Sequence, residues 1–416
     1  MKRIKLVLII SLTFIFHQFA SGQTDSNTQF LEKVGTLDSV YSKNLKEYRN
    51  FYVQLPANYN DNKNEKYPVV FILDGEVLLS TVNNVQGFYT GGFTPEMVLV
   101  GISNDKNRTR DLTTSKVTEM YGMSFEQENG EAANFNKFIE TELIPFIENK
   151  YPVTNYRTLI GHSYGGLFTI YTLINHPELF SNYLAIDPSL DWDGQKLLKE
   201  AQEKLSSQSY KGKSLFMSLN GQLHMQKSKV TLENVMKDTS DHTLFARSNI
   251  TFSNMVKQNN KNGLVYDWKF YPRDLHGTIA FPSIMDGLIS LFEWYQMDNT
   301  DKFNSPTTSK EELFSIVNYR AKKLKDYFGY LVPPYPEDLF NALGYMSLDM
   351  EQLEKSKMFF EFAIKFYPIS ANTYDSMSEY YERISDYDNA LKFATKAYEI
   401  SHNDYYKQRM EALKKK

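Results

Sequence analysis

The sequence predicts an α/β protein with a doubly wound, mostly parallel sheet, followed by a small all-helical region. Continuous apolar runs, most of them followed by Gly, Asp or Asn, are typical of strands covered by helices on both faces. Helical patterns, including those at 135–148 and 165–175, alternate with these runs, which favours a parallel sheet. The predicted strands lie at 69–73, 97–102, 158–160, 183–186, 214–219 and 266–271.

Composition is that of a globular protein and excludes several chemistries. Apolar residues make up 42% and charged residues 23% of the 416 residues, so the chain can bury a sizeable core. The formal charge of −4 gives no reason to expect nucleic acid or an anionic membrane as a partner. The absence of cysteine excludes thiol nucleophiles, thiolate metal sites and disulfides.

Residues 1–22 have the layout of a cleaved secretory signal. Lys2, Arg3 and Lys5 precede an apolar run at 6–16, and small residues follow at 20–22. The alternative is a membrane anchor, but a helix needs roughly 20 apolar residues to span a bilayer. We therefore expect a periplasmic or secreted protein without a later membrane span.

The remaining chain divides into an α/β domain at 35–297, a polar linker at 298–310 and a helical domain at 311–416. The helical domain contains a 34-residue repeat that resembles the tetratricopeptide repeat. The recurring positions are Phe340, Leu343, Gly344, Phe360 and Ala363, which return as Tyr374, Met377, Ser378, Ala394 and Ala397. The alternative is a helical bundle of no fixed type. Two repeats are fewer than the three usually needed for stability, so we expect the tail to pack on the α/β domain or on another copy.

A G-x-S-x-G motif centred on Ser163 carries the main functional prediction. It follows a predicted strand and opens a predicted helix, which is the context of a nucleophile elbow. In such a turn the serine needs small neighbours two residues away and lies at a helix N-terminus, where negative charge is favoured. We predict Ser163 as nucleophile and the Tyr164 N–H as one oxyanion donor. The alternative is an ordinary strand–turn–helix joint.

Two further segments supply the remaining parts of this site. A serine needs a general base, and His276 lies in a turn after the last predicted strand, where the base of this fold belongs. The turn at Asp74-Gly75-Glu76 closes an earlier strand, so we predict the N–H of Gly75 or Glu76 as the second oxyanion donor. An ordinary strand-ending turn is the alternative for the latter.

Residues 50–295 resemble the putative-esterase family of α/β-hydrolases, which includes siderophore esterases, feruloyl esterases and S-formylglutathione hydrolases. The resemblance implies an α/β-hydrolase fold, Ser163 and His276 as nucleophile and base, and an oxyanion loop at Gly75 and Glu76. It is closest to the siderophore-esterase-like branch. The motifs that carry it are LDGE at 73–76, VGI at 100–102, RTRDLT at 108–113, ELIPFI at 142–147, RTLIGHSYGGL at 157–167, DPSL at 187–190 and DLHGT at 274–278.

The acid of the triad is less clearly specified. Relatives often carry an acidic residue directly after the strand at 214–219, where this chain has Asn220. Asp187 is the favoured candidate because it ends the strand that follows the nucleophile helix. Glu233, Asp238 and Asp241 stay open, and the resemblance also allows a Ser–His pair without an acid.

A charged cluster at Arg108, Arg110 and Asp111 has three interpretations. It could lock the rim of the site, contact an anionic substrate, or form a solvated ion pair.

We therefore predict an exported serine hydrolase that cleaves carboxylic esters through an acyl-enzyme. The substrate is expected to be a small-molecule ester, and no metal or organic cofactor is implied. The helical tail is expected to bind a protein partner or to self-associate. The alternatives are a peptidase or thioesterase on the same scaffold, and a non-catalytic scaffold that binds a partner through its repeats.

Overall fold

A computed structural model describes residues 33–57, 59, 65–120, 122–227 and 229–416. The predicted secretory signal at 1–22 lies outside the described residues. Residues from Gly35 to Lys416 form one compact unit.

The central feature is an eight-stranded sheet. Its strands are β1 Thr36–Ser42, β2 Glu47–Gln54, β3 Tyr67–Ile72, β4 Val98–Ile102, β7 Val153–His162, β8 Asn182–Ile186, β9 Ser214–Asn220 and β10 Val265–Tyr271, and the short strands β5 Glu119–Met120 and β6 Met123–Ser124 form a separate antiparallel pair. The order across the large sheet is β1-β2-β4-β3-β7-β8-β9-β10. Strand β2 is antiparallel to both of its neighbours, and all other neighbouring strands of this sheet are parallel. The predicted doubly wound, mostly parallel sheet is therefore confirmed.

Burial explains why the sequence pattern identified the inner strands. Every residue of β3, β4 and β8 is buried, because helices cover both faces of the sheet there. The edge strands β1 and β10 instead alternate between exposed and partly buried positions. Strands β1 and β2 were not predicted, because polar residues interrupt their apolar pattern.

Helices pack on both faces of the sheet and form all of the C-terminal tail. The helices are α1 Gly75–Tyr89, α2 Arg108–Leu112, α3 Ala132–Phe138, α4 Ile144–Lys150, α5 Tyr164–Asn175, α6 Trp192–Ser207, α7 Leu244–Gln258, α8 Ala280–Phe292, α9 Thr300–Asn304, α10 Lys310–Phe328, α11 Glu337–Asp349, α12 Leu353–Phe366, α13 Ala371–Arg383, α14 Tyr387–Ser401 and α15 Asp404–Leu413. The helix predicted at 135–148 contains a π-helical turn at Ile139–Leu143, next to Pro145, which has no N–H for the regular hydrogen-bond pattern. No helix in the described part of the chain is long and apolar enough to cross a bilayer.

The tail consists of helical pairs with a constant spacing. Helix α11 begins at Glu337 and α13 begins 34 residues later at Ala371. Helix α12 begins at Leu353 and α14 begins 34 residues later at Tyr387. The predicted linker contains the short helix α9, whose Phe303 is buried against the tail. An all-helical C-terminal region is thus present, and its assignment as a tetratricopeptide-like domain remains a prediction.

Candidate active site

Ser163 lies in a tight turn between β7 and α5. Its backbone angles are φ 60° and ψ −114°, which residues with a side chain rarely adopt and which mark strained functional turns. The turn is held to the next strand, because Ser163 N donates to the Ile186 carbonyl at 3.0 Å. A Cβ at position 161 would lie 2.2 Å from the Gly165 carbonyl oxygen, so only glycine at 161 permits this close crossing of strand and helix. The turn therefore has the geometry of a nucleophile elbow.

A chain of hydrogen bonds joins Ser163, His276 and Asp187. The Ser163 Oγ lies 2.9 Å from His276 Nε2, and His276 Nδ1 lies 2.6 Å from Asp187 Oδ2. The side chain of His276 is 41% exposed, whereas the Asp187 side chain is fully buried. This is the arrangement in which an imidazole takes a hydroxyl proton while a buried carboxylate fixes its tautomer.

Asn220 supports the Asp187 carboxylate rather than replacing it. The Asn220 N–H donates to Asp187 Oδ1 at 3.0 Å, and its side-chain amide donates to Asp187 Oδ2 at 2.5 Å. Two donors on a buried carboxylate compensate for its lost hydration. Of the other candidates for the acid, Asp238 accepts hydrogen bonds from Ser240 and Thr243 instead.

His162 and Phe245 hold the His276 ring from two sides. The Phe245 ring meets it edge-on at a centroid distance of 5.4 Å, and the His162 ring lies at 4.7 Å. His162 Nε2 donates to the His276 carbonyl at 2.9 Å, which fixes the proton of His162 on that nitrogen. Burial, together with the nearby His276, lowers the pKa of His162 to about 4. His162 is therefore neutral near pH 7 and adds no positive charge beside the His276 ring.

The predicted oxyanion donors lie at two helix starts. Tyr164 is the first residue of α5, and Gly75 is the first residue of α1. The N–H groups in the first turn of a helix have no acceptor within that helix. Asp74, which precedes α1, has the left-handed angles φ 51° and ψ 48°. A Cβ on Gly75 would lie 2.3 Å from the backbone of Gly101, so no other residue fits at this position. Glu76 follows as the second residue of α1, and the roles of all three N–H groups remain proposals.

Arg108 connects the two helix starts. Its guanidinium donates to both carboxylate oxygens of Asp74 at 2.9 Å and to the His162 carbonyl at 3.1 Å. It also lies 5.5 Å from the centre of the Tyr164 ring. One side chain thus joins the residue before α1 to the residue before Ser163, which favours the rim-lock interpretation for Arg108.

Asp111 and Arg110 belong to a separate ionic cluster that joins α2 to β2. The Asp111 carboxylate is fully buried and contacts Arg49 at 2.5 Å and Arg110 at 2.8 Å. Arg110 also donates to Glu47 and, as the main cause, lowers the pKa of Glu47 to about 2. A solvated ion pair is therefore the wrong description of Asp111.

Ser189 has no role in the sequence-based prediction, but it lies beside Ser163 in the structure. The Ser189 Oγ lies 3.3 Å from the Ser163 Oγ, and the Ser189 N–H donates to the Ser163 carbonyl at 3.2 Å. The signal was available, since Ser189 follows Asp187 by two residues in the DPSL motif. Ser189 therefore stabilises the turn through its backbone N–H and contacts the Ser163 hydroxyl through its own hydroxyl.

Three side chains at this site also carry atoms that metals bind. Ligand atoms of His162, Asp187 and His276 lie within 4.8 Å of one another. Each of these atoms is already part of the hydrogen bonds given above. We therefore assign the three side chains to the Ser–His–Asp chain and its support.

A family model described as "Putative esterase" matches residues 42–266, more than half of the chain. The chain belongs to this family. The predicted resemblance is thereby confirmed, and the family supports an esterase function.

Individual relatives agree with this membership. Ferri-bacillibactin esterase BesA of Bacillus subtilis is 33% identical over 157 residues, which cover 34% of this chain and 54% of that protein. The siderophore triacetylfusarinine C esterase of Aspergillus fumigatus is 28% identical over 166 residues, which cover 36% of this chain and 54% of that protein. The chain thus spans about half the length of the curated relatives it matches.

A solved structure confirms the fold class. The crystal structure of an IroE-like serine hydrolase from Shewanella oneidensis superposes with a TM-score of 0.64 at 27% sequence identity. The match covers 80% of this chain and 99% of that chain, so it extends over almost the whole Shewanella chain.

Proposed function

We propose that this protein is an exported serine hydrolase that cleaves carboxylic esters through an acyl-enzyme. The observation that carries the proposal is the hydrogen-bonded chain from Ser163 through His276 to Asp187, built on a strained turn. Membership of the esterase family supports the same chemistry.

Acylation follows from this geometry. His276 Nε2 takes the hydroxyl proton as Ser163 Oγ attacks the ester carbonyl carbon. Negative charge then develops on the carbonyl oxygen, where the N–H of Tyr164 and that of Gly75 or Glu76 stabilise it. The alcohol leaves with the proton from His276, and the acyl group stays on Ser163.

Deacylation reverses the roles of the same groups. His276 removes a proton from water, and the resulting hydroxyl attacks the acyl carbon. The same N–H groups stabilise the second oxyanion. The acid is released when the Ser163 oxygen takes back the proton from His276. Asp187 stabilises the transient imidazolium in both steps, because its carboxylate lies 2.6 Å from Nδ1.

The substrate class comes from the relatives. The names of the two matched enzymes specify ester bonds in siderophores, and we propose an ester of this class for the present chain. The secretory layout at 1–22 supports a periplasmic or extracellular place of action.

Labelling by a fluorophosphonate probe tests the nucleophile. We expect mass spectrometry to find the adduct on Ser163 in the wild type, none in Ser163→Ala, and strongly slowed labelling in His276→Ala. Ser206→Ala, which removes an exposed serine at the end of α6, is the matched control and should label normally. A wild type that resists labelling would instead favour the non-catalytic scaffold.

Turnover of a siderophore lactone, followed by product mass spectrometry, tests the substrate class. We expect the wild type to release the hydroxy acid and His276→Ala to lose the activity by several orders of magnitude. Hydrolysis of simple aryl esters without any siderophore hydrolysis would reject the substrate class and keep the mechanism.

A further inference from the structure

A pocket beside the catalytic histidine is not used by the mechanism above. It has a volume of about 390 Å³ and lies between residues 221–227 and residues 272–275. These segments follow β9 and β10, at the carboxyl edge of the sheet where open α/β folds bind ligands.

The two segments that form the pocket also carry the catalytic chain. Gly221 follows Asn220, whose amide supports Asp187, and Leu275 precedes His276. The Gly221 N–H donates to the Asp274 carbonyl at 2.9 Å, which joins the two segments directly. The pocket is therefore built by the same two segments that hold Asp187 and His276.

The charges on the pocket wall favour an anion. Arg273 and Lys227 both line it, and neither forms an ion pair with another residue in the described part of the chain. Asp274 also lines it, but one of its carboxylate oxygens accepts from the Thr278 hydroxyl at 3.0 Å. Two cations face one carboxylate, so the wall carries a net positive charge.

His224 orders the loop that carries Lys227. It is only 5% exposed, and its Nδ1 accepts hydrogen bonds from the N–H groups of Gln226 at 2.8 Å and Lys227 at 2.9 Å. These two hydrogen bonds fix the backbone at Lys227, so its side chain starts from an ordered point on the pocket wall.

We propose that this pocket binds a carboxylate on the ester substrate and so determines which esters the enzyme prefers. The inference rests on the proposed function, because it names a second contact for the same substrate. Arg273 and Lys227 attract and pair with the carboxylate. The volume suits a group of the size of a benzoate.

Binding without turnover tests the charge preference. We expect fluorine NMR titrations of the Ser163→Ala protein to show that 4-fluorobenzoate binds about tenfold more tightly than 4-fluorobenzamide, a neutral molecule of the same shape. The added pair Arg273→Gln/Lys227→Gln should abolish the difference. The matched pair Arg383→Gln/Lys322→Gln, on the exposed tail, should preserve it. Equal affinity for the two probes, or a preference that survives Arg273→Gln/Lys227→Gln, would overturn the proposal.

Turnover of two matched esters separates this inference from the proposed function. The 4-nitrophenyl esters of succinate and of succinamate differ only in a carboxylate against an amide. We expect the wild type to have about tenfold higher kcat/KM for the succinate ester, and Arg273→Gln/Lys227→Gln to equalise the two. Equal turnover of both esters by the wild type would overturn the pocket alone. Failure to hydrolyse either ester, with no fluorophosphonate labelling, would overturn the esterase proposal, and the NMR titrations would still decide the carboxylate site.

Discussion

The two edges of the sheet differ in chemistry. At the carboxyl edge, the segments at the ends of β7, β8, β9 and β10 bring together hydroxyl, carboxylate, amide and imidazole groups in a continuous hydrogen-bonded chain. At the amino edge, the tail packs through aromatic rings. Tyr156, near the start of β7, meets Phe328 at a centroid distance of 4.9 Å, and Trp294 stacks on Tyr327 at 4.1 Å. Polar groups are thus concentrated at the carboxyl edge, for which we propose catalysis, and aromatic rings at the amino edge, where the tail is attached.

The separation along one strand is large. Tyr156 and Ser163 are seven residues apart on β7, which corresponds to about 23 Å at the rise of a parallel strand. The tail is fixed at its edge by Arg320, a buried residue that donates to the carbonyls of Tyr295, Gln296 and Pro334. The tail is therefore anchored at the amino edge of the sheet, away from the candidate site at the carboxyl edge. Substitutions at the two edges should change different observables.

Asp187→Asn should give the largest effect at the carboxyl edge. The amide keeps the volume but favours the wrong imidazole tautomer, so we expect kcat to fall about 10⁴-fold on an aryl ester, with KM nearly unchanged. Asp238→Asn, in the loop before α7, is the control and should keep nearly full activity. If Asp187→Asn retains more than about a tenth of kcat, the site works as a Ser–His pair and Asp187 is structural.

Trp294→Ala should give the largest effect at the amino edge. It removes the ring that stacks on Tyr327 and contacts Phe328, so we expect the free energy of unfolding to fall by about 3 kcal/mol. Because the site lies at the other end of β7, kcat/KM should stay within a factor of two below the unfolding transition. Tyr319→Ala, an exposed ring on α10, is the control for denaturant unfolding. A large loss of kcat/KM in folded Trp294→Ala would show that the two edges are coupled.

The sequence predicts those strands and motifs that depend on a local pattern of residues. The buried parallel strands are apolar throughout, so they were predicted, whereas β1 and β2 have a mixed pattern and were not. Ser163 is predicted as nucleophile because it lies in a G-x-S-x-G motif, whose tight turn requires glycine at 161 for steric reasons. His276 is predicted as base because it follows the last strand in the order that the fold imposes.

Contacts between segments that are distant in the chain could not be predicted from the sequence pattern. Nothing local indicates that Asn220 donates to Asp187, since the two residues meet only because β8 and β9 pair side by side. In the same way, the partner of Arg108 is a carboxylate 34 residues away, so its role was left open among three interpretations. The helical tail was predicted from its 34-residue repeat, but its attachment through Trp294 and Arg320 depends on tertiary packing that the repeat does not encode.

Arg108→Gln should give a smaller effect that sharpens the comparison within the carboxyl edge. The Arg108 guanidinium donates to both the Asp74 carboxylate and the His162 carbonyl, so its loss removes the link between the two helix starts whose N–H groups are the proposed oxyanion donors. We expect kcat to fall about 30-fold with KM changed less than threefold, because an oxyanion contact matters most in the transition state. Arg108→Lys restores the charge without the two-pronged contact, and should recover only part of kcat. A purely structural role would instead lower the melting temperature of both variants and leave kcat of the folded fraction intact. A rise in KM without loss of kcat would identify Arg108 as a substrate contact.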